Sequence, residues 1–196
     1  MKLFFRNSLI ISILSISTTT FAQTEKGSLM VGGNLGVSSG GNGSYSVFNA
    51  NLSPEVGYFL KKNFVVGVEL PLTYGSQTID LTVNPKATYK KYQISALGFS
   101  PFVRYYFGEK KLKPFAQTQY AYTYFSEITT QATGDDSNNS GYSAYATVGA
   151  GLAYFIAENL SIDAKIDYQI YRSNSSYVFQ NQPAFRVGFQ IFLPKK

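Results

Sequence analysis

The feature that most constrains the fold is a two-residue alternation of apolar with small or polar side chains on both sides of Lys61-Lys62-Asn63. Successive side chains of a β-strand point to opposite faces, so this period predicts two strands. A three-residue turn, with Asn63 in the left-handed conformation that asparagine tolerates, joins them and places Glu55 opposite Glu69. The hairpin over residues 50–74 therefore has one apolar face and one polar face that holds both carboxylates.

The same hairpin recurs along the chain. Tyr58-Phe59 is echoed by Tyr105-Tyr106-Phe107 and by Tyr154-Phe155, at spacings of 47 and 49 residues. Each repeat holds only two long strands, a tight turn and a long loop, which favours an up-and-down meander over a propeller. The alternation predicts eight strands in all: 29–37, two within 47–74, then 93–107, 114–124, 144–154, 160–170 and 185–193.

Short turns and long polar loops alternate between these predicted strands. The long loops are 38–46, 75–91, 126–141 and 172–182. The short connections then lie at one end of the barrel and the long ones at the other. Strands of about ten residues, tilted by about 45°, match the apolar band of a membrane barrel, which is about 25 Å tall. The predicted fold class is all-β, an eight-stranded up-and-down antiparallel transmembrane β-barrel.

The distribution of charge indicates which face meets lipid. A soluble ligand-binding barrel has the same period, but it turns its apolar face inward. Here the charges share the face that carries glycine and alanine, as expected of a cramped lumen, while the apolar face is too large a patch for a water-soluble monomer. In lipid, a closed barrel also satisfies every backbone hydrogen bond. The charged side chains on the polar face are Glu55, Glu69, Arg104, Lys113, Asp163, Lys165, Asp167 and Arg186.

Two facing carboxylates in the lumen need a cation nearby. Glu55 and Glu69 would repel each other unless one intervenes. Lys165 stands at the height of Glu69 above the turns, and Arg104 and Arg186 are further partners. We expect a structural charge network in the lumen, rather than a conducting gate, made of Glu55, Glu69, Arg104, Asp163, Lys165, Asp167 and Arg186.

Tyrosines mark both ends of the apolar stripes. An aromatic ring with a polar tip is most favourable at the level of the lipid headgroups. Ordinary cross-strand packing would not concentrate tyrosine at the stripe ends. The predicted interface aromatics are Tyr58, Tyr105 and Tyr154 beside the short turns, and Tyr74, Tyr122, Tyr124 and Tyr168 toward the long loops.

The N-terminus has the pattern of a secretory signal peptide. Lys2 and Arg6 precede a short apolar run, and Ala22 is a suitable small residue at a cleavage site. The run is much shorter than the roughly 20 residues of a membrane-spanning helix. We therefore expect residues 1–22 to be removed and 23–196 to form one outer-membrane β-barrel domain. Cleavage lowers the formal charge from +6 to +4.

Composition narrows the functional classes. The chain has no cysteine and no histidine, so it lacks disulfides, thiolate sites, and the commonest general base and metal ligand. A barrel this narrow fills with side chains and leaves no cleft for glycosidase chemistry between its carboxylates. The lysines are scattered, which argues against nucleic-acid binding. We expect no enzyme activity, catalytic residue, cofactor or metal site.

The organisation resembles the small eight-stranded outer-membrane barrels of Gram-negative bacteria, of the OmpA-like and OmpX-like kind in single-domain form. The resemblance covers residues 27–193 and rests on the alternation and on repeats such as 53–59 and 100–106. The last strand is similar to the C-terminal assembly signal of that family, with Gly188, Ile191 and Leu193 as its marks. It departs from the family pattern by ending in Leu193 rather than an aromatic residue, followed by Pro194-Lys195-Lys196.

The resemblance implies a location and a set of partners. The location is the bacterial outer membrane, as an integral protein. The implied partners are outer-membrane lipid and lipopolysaccharide, the barrel-assembly machinery and periplasmic chaperones, and an extracellular ligand bound by the loops. The resemblance also implies a monomer and a structural or surface-interaction role. A narrow porin-like channel is the alternative, and a lipid-modifying enzyme is less favoured.

Overall fold

The computed structural model describes residues 24–42, 44–81, 88–131, 136–173 and 183–195. The predicted signal peptide lies outside these ranges and stays a prediction. Within them, no helix is long and apolar enough to span a membrane. The strands are β1 (Leu29–Asn42), β2 (Tyr45–Lys61), β3 (Phe64–Glu69), β4 (Leu72–Leu81), β5 (Thr88–Tyr106), β6 (Leu112–Gln131), β7 (Asp136–Ala157), β8 (Leu160–Ser173) and β9 (Ala184–Leu193).

The strands form a closed antiparallel ring. Consecutive strands pair, except that β3 and β4 do not pair with each other but both lie between β2 and β5. β1 pairs with both β2 and β9. β3 and β4 are two halves of one strand, because the register with β2 runs unchanged from Glu55 opposite Glu69 to Leu52 opposite Leu72. Pro71 lies between the halves, and proline has no N–H to donate to the ladder. The ring therefore has eight members, and the predicted fold class is confirmed.

The first hairpin has the predicted register and turn. Glu55 lies opposite Glu69, and Tyr58 lies opposite Val66. Asn63 has φ 64°, the left-handed conformation expected of it. Its backbone N–H donates to Thr24 O at 2.7 Å, which ties the segment before β1 to this turn.

The predicted loop boundaries are wrong, because the strands continue well beyond the apolar stripes. β1 and β2 occupy most of the predicted loop 38–46, β4 and β5 enter 75–91, β6 and β7 enter 126–141, and β8 extends through residue 173. Polar pairs such as Glu127 with Asn139 continue the ladder, since backbone hydrogen bonds need no apolar side chain. The 22 residues of β7 rise about 50 Å at a tilt of about 45°, twice the height of an apolar band.

The two ends of the ring differ. At the turn end lie residues 62–63, 107–111 and 158–159, together with 24–28 and 194–195. At the loop end lie the other four connections, of which the last three fall largely outside the described residues. Leu112 pairs with Tyr154 at the turn end, and Tyr122 lies ten residues further along β6. At about 3.3 Å per residue and a tilt of about 45°, the two aromatic rows are about 23 Å apart.

The two faces of the ring are inverted relative to a soluble protein. Large apolar side chains such as Leu35 (55% exposed), Ile166 (55%) and Phe185 (62%) point outward. Charged side chains such as Arg104 and Lys165 (1% each) are buried inside. Between the aromatic rows, no charged side chain of the described strands points outward. The core of the protein is therefore its lumen.

Candidate functional site in the barrel lumen

An aromatic cluster fills the lumen near the turn end. Phe192 of β9 lies at its centre, with ring centroids 5.0 Å from Phe155, 6.1 Å from Phe59 and 6.3 Å from Tyr106. Aromatic rings at such separations attract each other beyond the effect of their burial. We call this group the aromatic plug; it consists of Met30, Phe59, Val65, Phe102, Tyr106, Phe115, Ala153, Phe155 and Phe192, all buried.

The sequence analysis missed the aromatic plug, although the doublets pointed to it. In Tyr58-Phe59, Tyr105-Tyr106 and Tyr154-Phe155, the first ring is on the outer face. Adjacent strand residues point to opposite faces, so the second ring of each doublet has to enter the lumen.

Glycines on the inner face make room for the largest rings. A Cβ atom on Gly151 would lie 2.4 Å from Phe115 Cζ and 2.6 Å from the backbone oxygen of Ala164. A Cβ atom on Gly67 would lie 2.5 Å from Phe102 Cζ. The small residues on the polar face therefore complement the plug in shape.

Arg104 connects the aromatic plug to a first group of charges. Its guanidinium lies 2.7 Å from Glu55 Oε1 and 3.5 Å from Asp163 Oδ2. It also donates to Tyr106 Oη at 3.0 Å and to Gln117 Oε1 at 2.7 Å. Buried charges are tolerated only when paired and hydrogen-bonded, and Arg104 satisfies both conditions.

A second group of charges lies nearer the loop end. Glu69 is bound by Arg186 Nη1 at 2.9 Å and by Lys165 Nζ at 3.4 Å. Asp167 Oδ2 lies 3.4 Å from Arg186 Nε and 3.5 Å from Lys165 Nζ. Two cations therefore alternate with two carboxylates, and this group has no net charge.

The structure brings all seven residues of the expected charge network into the lumen. Glu55 and Glu69 face each other across β2 and β3, yet each binds a different cation, which offsets their repulsion. The network is thus two groups rather than one, with Glu55, Arg104 and Asp163 below and Glu69, Lys165, Asp167 and Arg186 above. Lys113 belongs to neither: its Nζ donates to Thr24 Oγ1 at 2.8 Å and lies 5.2 Å from the Phe155 ring centroid.

Above the second group, the lumen widens into a cavity of about 970 Å³. We call it the loop-end chamber. Its floor includes Asp167 and Arg186, and its wall includes Asn49, Thr147 and Gln169. The upper lumen is thus open and lined by both polar and apolar residues, whereas the lower lumen is filled.

The predicted interface aromatics all lie on the outer face. Tyr58, Tyr105 and Tyr154 are near the turn end, and the other four are higher. Sequence reasoning missed one member of the upper row: Tyr142 stacks on Tyr122 with ring centroids 5.5 Å apart. The signal in the sequence was the two-residue alternation: Tyr142 lies an even number of residues from Val148 and the other outward side chains of β7. The predicted interface aromatics are Tyr58, Tyr74, Tyr105, Tyr122, Tyr124, Tyr154 and Tyr168.

The predicted assembly-signal residues lie on β9, which closes the ring against β1. Ile191 and Leu193 point outward, and Gly188 pairs with Asn34. A Cβ atom on Gly188 would lie 2.6 Å from Asn34 Oδ1. Phe192, between the two outward residues, belongs to the aromatic plug.

One ion pair at the turn end is exposed to solvent. Lys62 Nζ lies 2.7 Å from Glu109 Oε1 and 3.3 Å from Glu25 Oε1. Hydrogen bonding to Glu109 and Glu25 raises the pKa of Lys62, and hydrogen bonding to Lys62 lowers the pKa of Glu109. Such pairs stabilise a protein little, because water screens them.

In the part of the chain that the structure describes, the lumen holds charged and hydrogen-bonding side chains but no familiar set of catalytic residues. Among the described residues, no three His, Cys, Asp or Glu side chains come together as a metal site. The carboxylates of both groups are bound by arginine or lysine and covered by other side chains. These ion pairs block the barrel lumen.

A closed ring with an apolar exterior, two aromatic rows and a charged, filled lumen defines a transmembrane β-barrel. The chain belongs to the outer membrane protein beta-barrel domain family, whose model matches residues 8–190. A comparison with curated proteins gave no match.

Similar solved structures include two bacterial barrels and a designed one. The N-terminal β-barrel domain of Pseudomonas aeruginosa OprF is 20% identical, with a TM-score of 0.46 and coverage of 86% of this chain and 97% of that one. Neisserial surface protein A is 15% identical, with a TM-score of 0.45 and coverage of 84% and 95%. A de novo designed transmembrane β-barrel is 13% identical, with a TM-score of 0.41 and coverage of 87% and 99%.

Proposed function

We propose that this protein is a closed barrel of the outer membrane with a structural or surface-interaction role, exerted through its loop end. The observation that carries the proposal is the filling of the lumen by two successive layers. The aromatic plug occupies the turn end, and the two charge groups lie above it. Glu69 is 0% exposed, and Arg104 and Lys165 are each 1% exposed.

A narrow porin is the alternative, and the contacts disfavour it. Water would have to pass both the rings around Phe192 and the ion pairs of Arg104 and Glu69. Each of these two residues is held by more than one partner, so moving a single side chain leaves the lumen closed. A buried charge left without its partner costs about 3–5 kcal/mol, so an open lumen with unpaired charges is rarely populated.

The strands beyond the apolar band support a surface role. Members of this architecture place short turns in the periplasm and longer connections outside. β6 and β7, with 20 and 22 residues, then rise from the membrane toward the exterior as a polar hairpin. Outer-membrane lipid and lipopolysaccharide would surround the band, while the barrel-assembly machinery and periplasmic chaperones would handle the unfolded chain. We propose a monomer that acts by contact with an extracellular ligand and has no catalytic activity.

Planar-bilayer recording tests the closed lumen. The refolded wild-type protein should give no stable conductance steps, whereas a variant with both Arg104→Ala and Tyr106→Ala should conduct, because it removes the residues that join the two layers. Steady wild-type conductance that changes with Lys165→Glu would establish the porin instead.

Cysteine labelling tests the orientation. The chain has no cysteine of its own, so a single introduced thiol reports one position. Ser140→Cys at the loop end should react with a membrane-impermeant maleimide on intact cells. Lys111→Cys at the turn end should react only after the outer membrane is opened. The reverse pattern would refute a surface role for the loop end.

A further inference from the structure

The loop-end chamber has the size of a binding site. Its volume of about 970 Å³ is at the upper end of the range of small-molecule pockets, about 300–1,000 Å³. It reaches from its floor at Arg186 to the strand positions Gly40 and Tyr45 at the loop end. Its lower boundary is closed, so a solute that enters from the loop end must leave the same way.

The charge on the floor favours a neutral ligand. Arg186 is engaged by Glu69 at 2.9 Å and by Asp167 at 3.4 Å, and Lys165 balances the second carboxylate. An anion would compete with two carboxylates for Arg186, and a cation would approach a group with no net charge. Neither charge has a free counterion on the floor.

The wall supplies hydrogen bonds that the protein itself does not use. Asn49 and Gln169 line the chamber, and their Oδ1 and Nε2 atoms, respectively, are buried without a hydrogen-bond partner in the described structure. One is an acceptor and the other a donor, and a hydroxyl group can serve either of them because it both donates and accepts. Terminal amides rotate easily about their last bond, so both atoms can turn toward a solute. Ile94 and Phe125 add an apolar patch to the same wall.

We propose that the loop-end chamber binds a neutral, polyhydroxylated solute of the size of a mono- or disaccharide. Asn49 and Gln169 bind its hydroxyl groups, and the apolar patch contacts the carbon side of the ring. The inference rests on the proposed function in one respect: the chamber must open to the exterior. Conductance and cysteine labelling test that function without any saccharide, so either idea can fail alone.

The test is an NMR titration of the refolded protein in a zwitterionic detergent without a sugar headgroup. Maltose and glucose are the neutral probes, and glucuronate is the charged counterpart of glucose. Maltose should give saturable shifts confined to the chamber wall, including the side-chain amides of Asn49 and Gln169, with a Kd in the millimolar range. Glucuronate should bind more weakly than glucose.

Two variants separate the chamber from the outer surface. Gln169→Leu should weaken maltose binding about fivefold, the equivalent of one hydrogen bond. Gln93→Leu is the matched control: Gln93 lies on β5 and donates to Tyr74 Oη at 2.9 Å, away from the chamber lining, and its loss should leave binding unchanged. If Gln169→Leu does not refold, Asn49→Ala replaces it with the same expectation.

Three results would overturn the proposal. One is the absence of saturable shifts with maltose in the folded protein. Another is an unchanged affinity in a folded Gln169→Leu or Asn49→Ala variant. The third is tighter binding of glucuronate than of glucose, which would show that charge, not hydroxyl recognition, governs the chamber.

Discussion

Replacing Glu69 by glutamine should lower the unfolding temperature far more than the same replacement in an ion pair at the surface, even though the surface pair is the shorter one. Glu69 is fully buried and binds both Arg186 and Lys165. Glu69→Gln keeps the shape of the side chain but leaves two cations facing Asp167 alone. The loss of one partner of a buried ion pair costs about 3–5 kcal/mol. For a chain of this size, each kcal/mol is worth about 2–4 °C, so the midpoint should fall by about 6–20 °C.

The assay is gel mobility of the refolded protein after heating, which separates closed barrel from unfolded chain. Glu109→Gln is the matched control, because Glu109 is likewise paired with a cation, Lys62 at 2.7 Å, but is exposed at the turn end. Its midpoint should not change measurably, since surface pairs contribute little. The double variant Glu69→Gln with Lys165→Met restores the charge balance and should recover much of the loss. A midpoint for Glu69→Gln no lower than that of Glu109→Gln would refute the network.

Two further predictions concern packing and lipid contact. Gly151→Ala should destabilise the barrel by about 1–3 kcal/mol, because its new methyl group would collide with Phe115. Gly40→Ala is the control and should be tolerated, because a Cβ atom there meets nothing within 4 Å. Equal unfolding midpoints of the two variants in denaturant titrations would contradict this. Ile166→Arg, in the middle of the outer band, should cost about 2–4 kcal/mol, and Thr130→Arg above the band about 0–1 kcal/mol. Unfolding titrations in lipid vesicles measure the difference, and equal costs would mean that the band is misplaced.

Strand pairing could be predicted because alternation and one turn residue determine it. Asn63 sets the register of the first hairpin, and a shift of one strand by one residue would turn its carboxylate, Glu55 or Glu69, toward lipid. The inward direction of the charges follows from the same period. Local sequence therefore contains most of the architecture.

The strand ends and the plug could not be obtained in the same way. Polar residues at a strand end resemble a loop, because composition does not reveal whether a neighbouring strand continues the ladder beside them, as Asn139 does for Glu127. The contacts of Phe192 depend on rings from several strands that meet only when the ring closes. The pairing of cations with carboxylates likewise depends on how far each side chain extends across the lumen.

The separation of the two aromatic rows specifies a membrane thickness. Rows about 23 Å apart suit a thin bilayer, and the bacterial outer membrane is thinner than average. In a thicker bilayer, either the lipid would be compressed around the barrel or polar strand segments beyond Tyr122 would be drawn into hydrocarbon. Each ångström of mismatch costs a fraction of a kcal/mol. Short-chain lipids should therefore accept this barrel more readily than long-chain lipids, whatever its ligand.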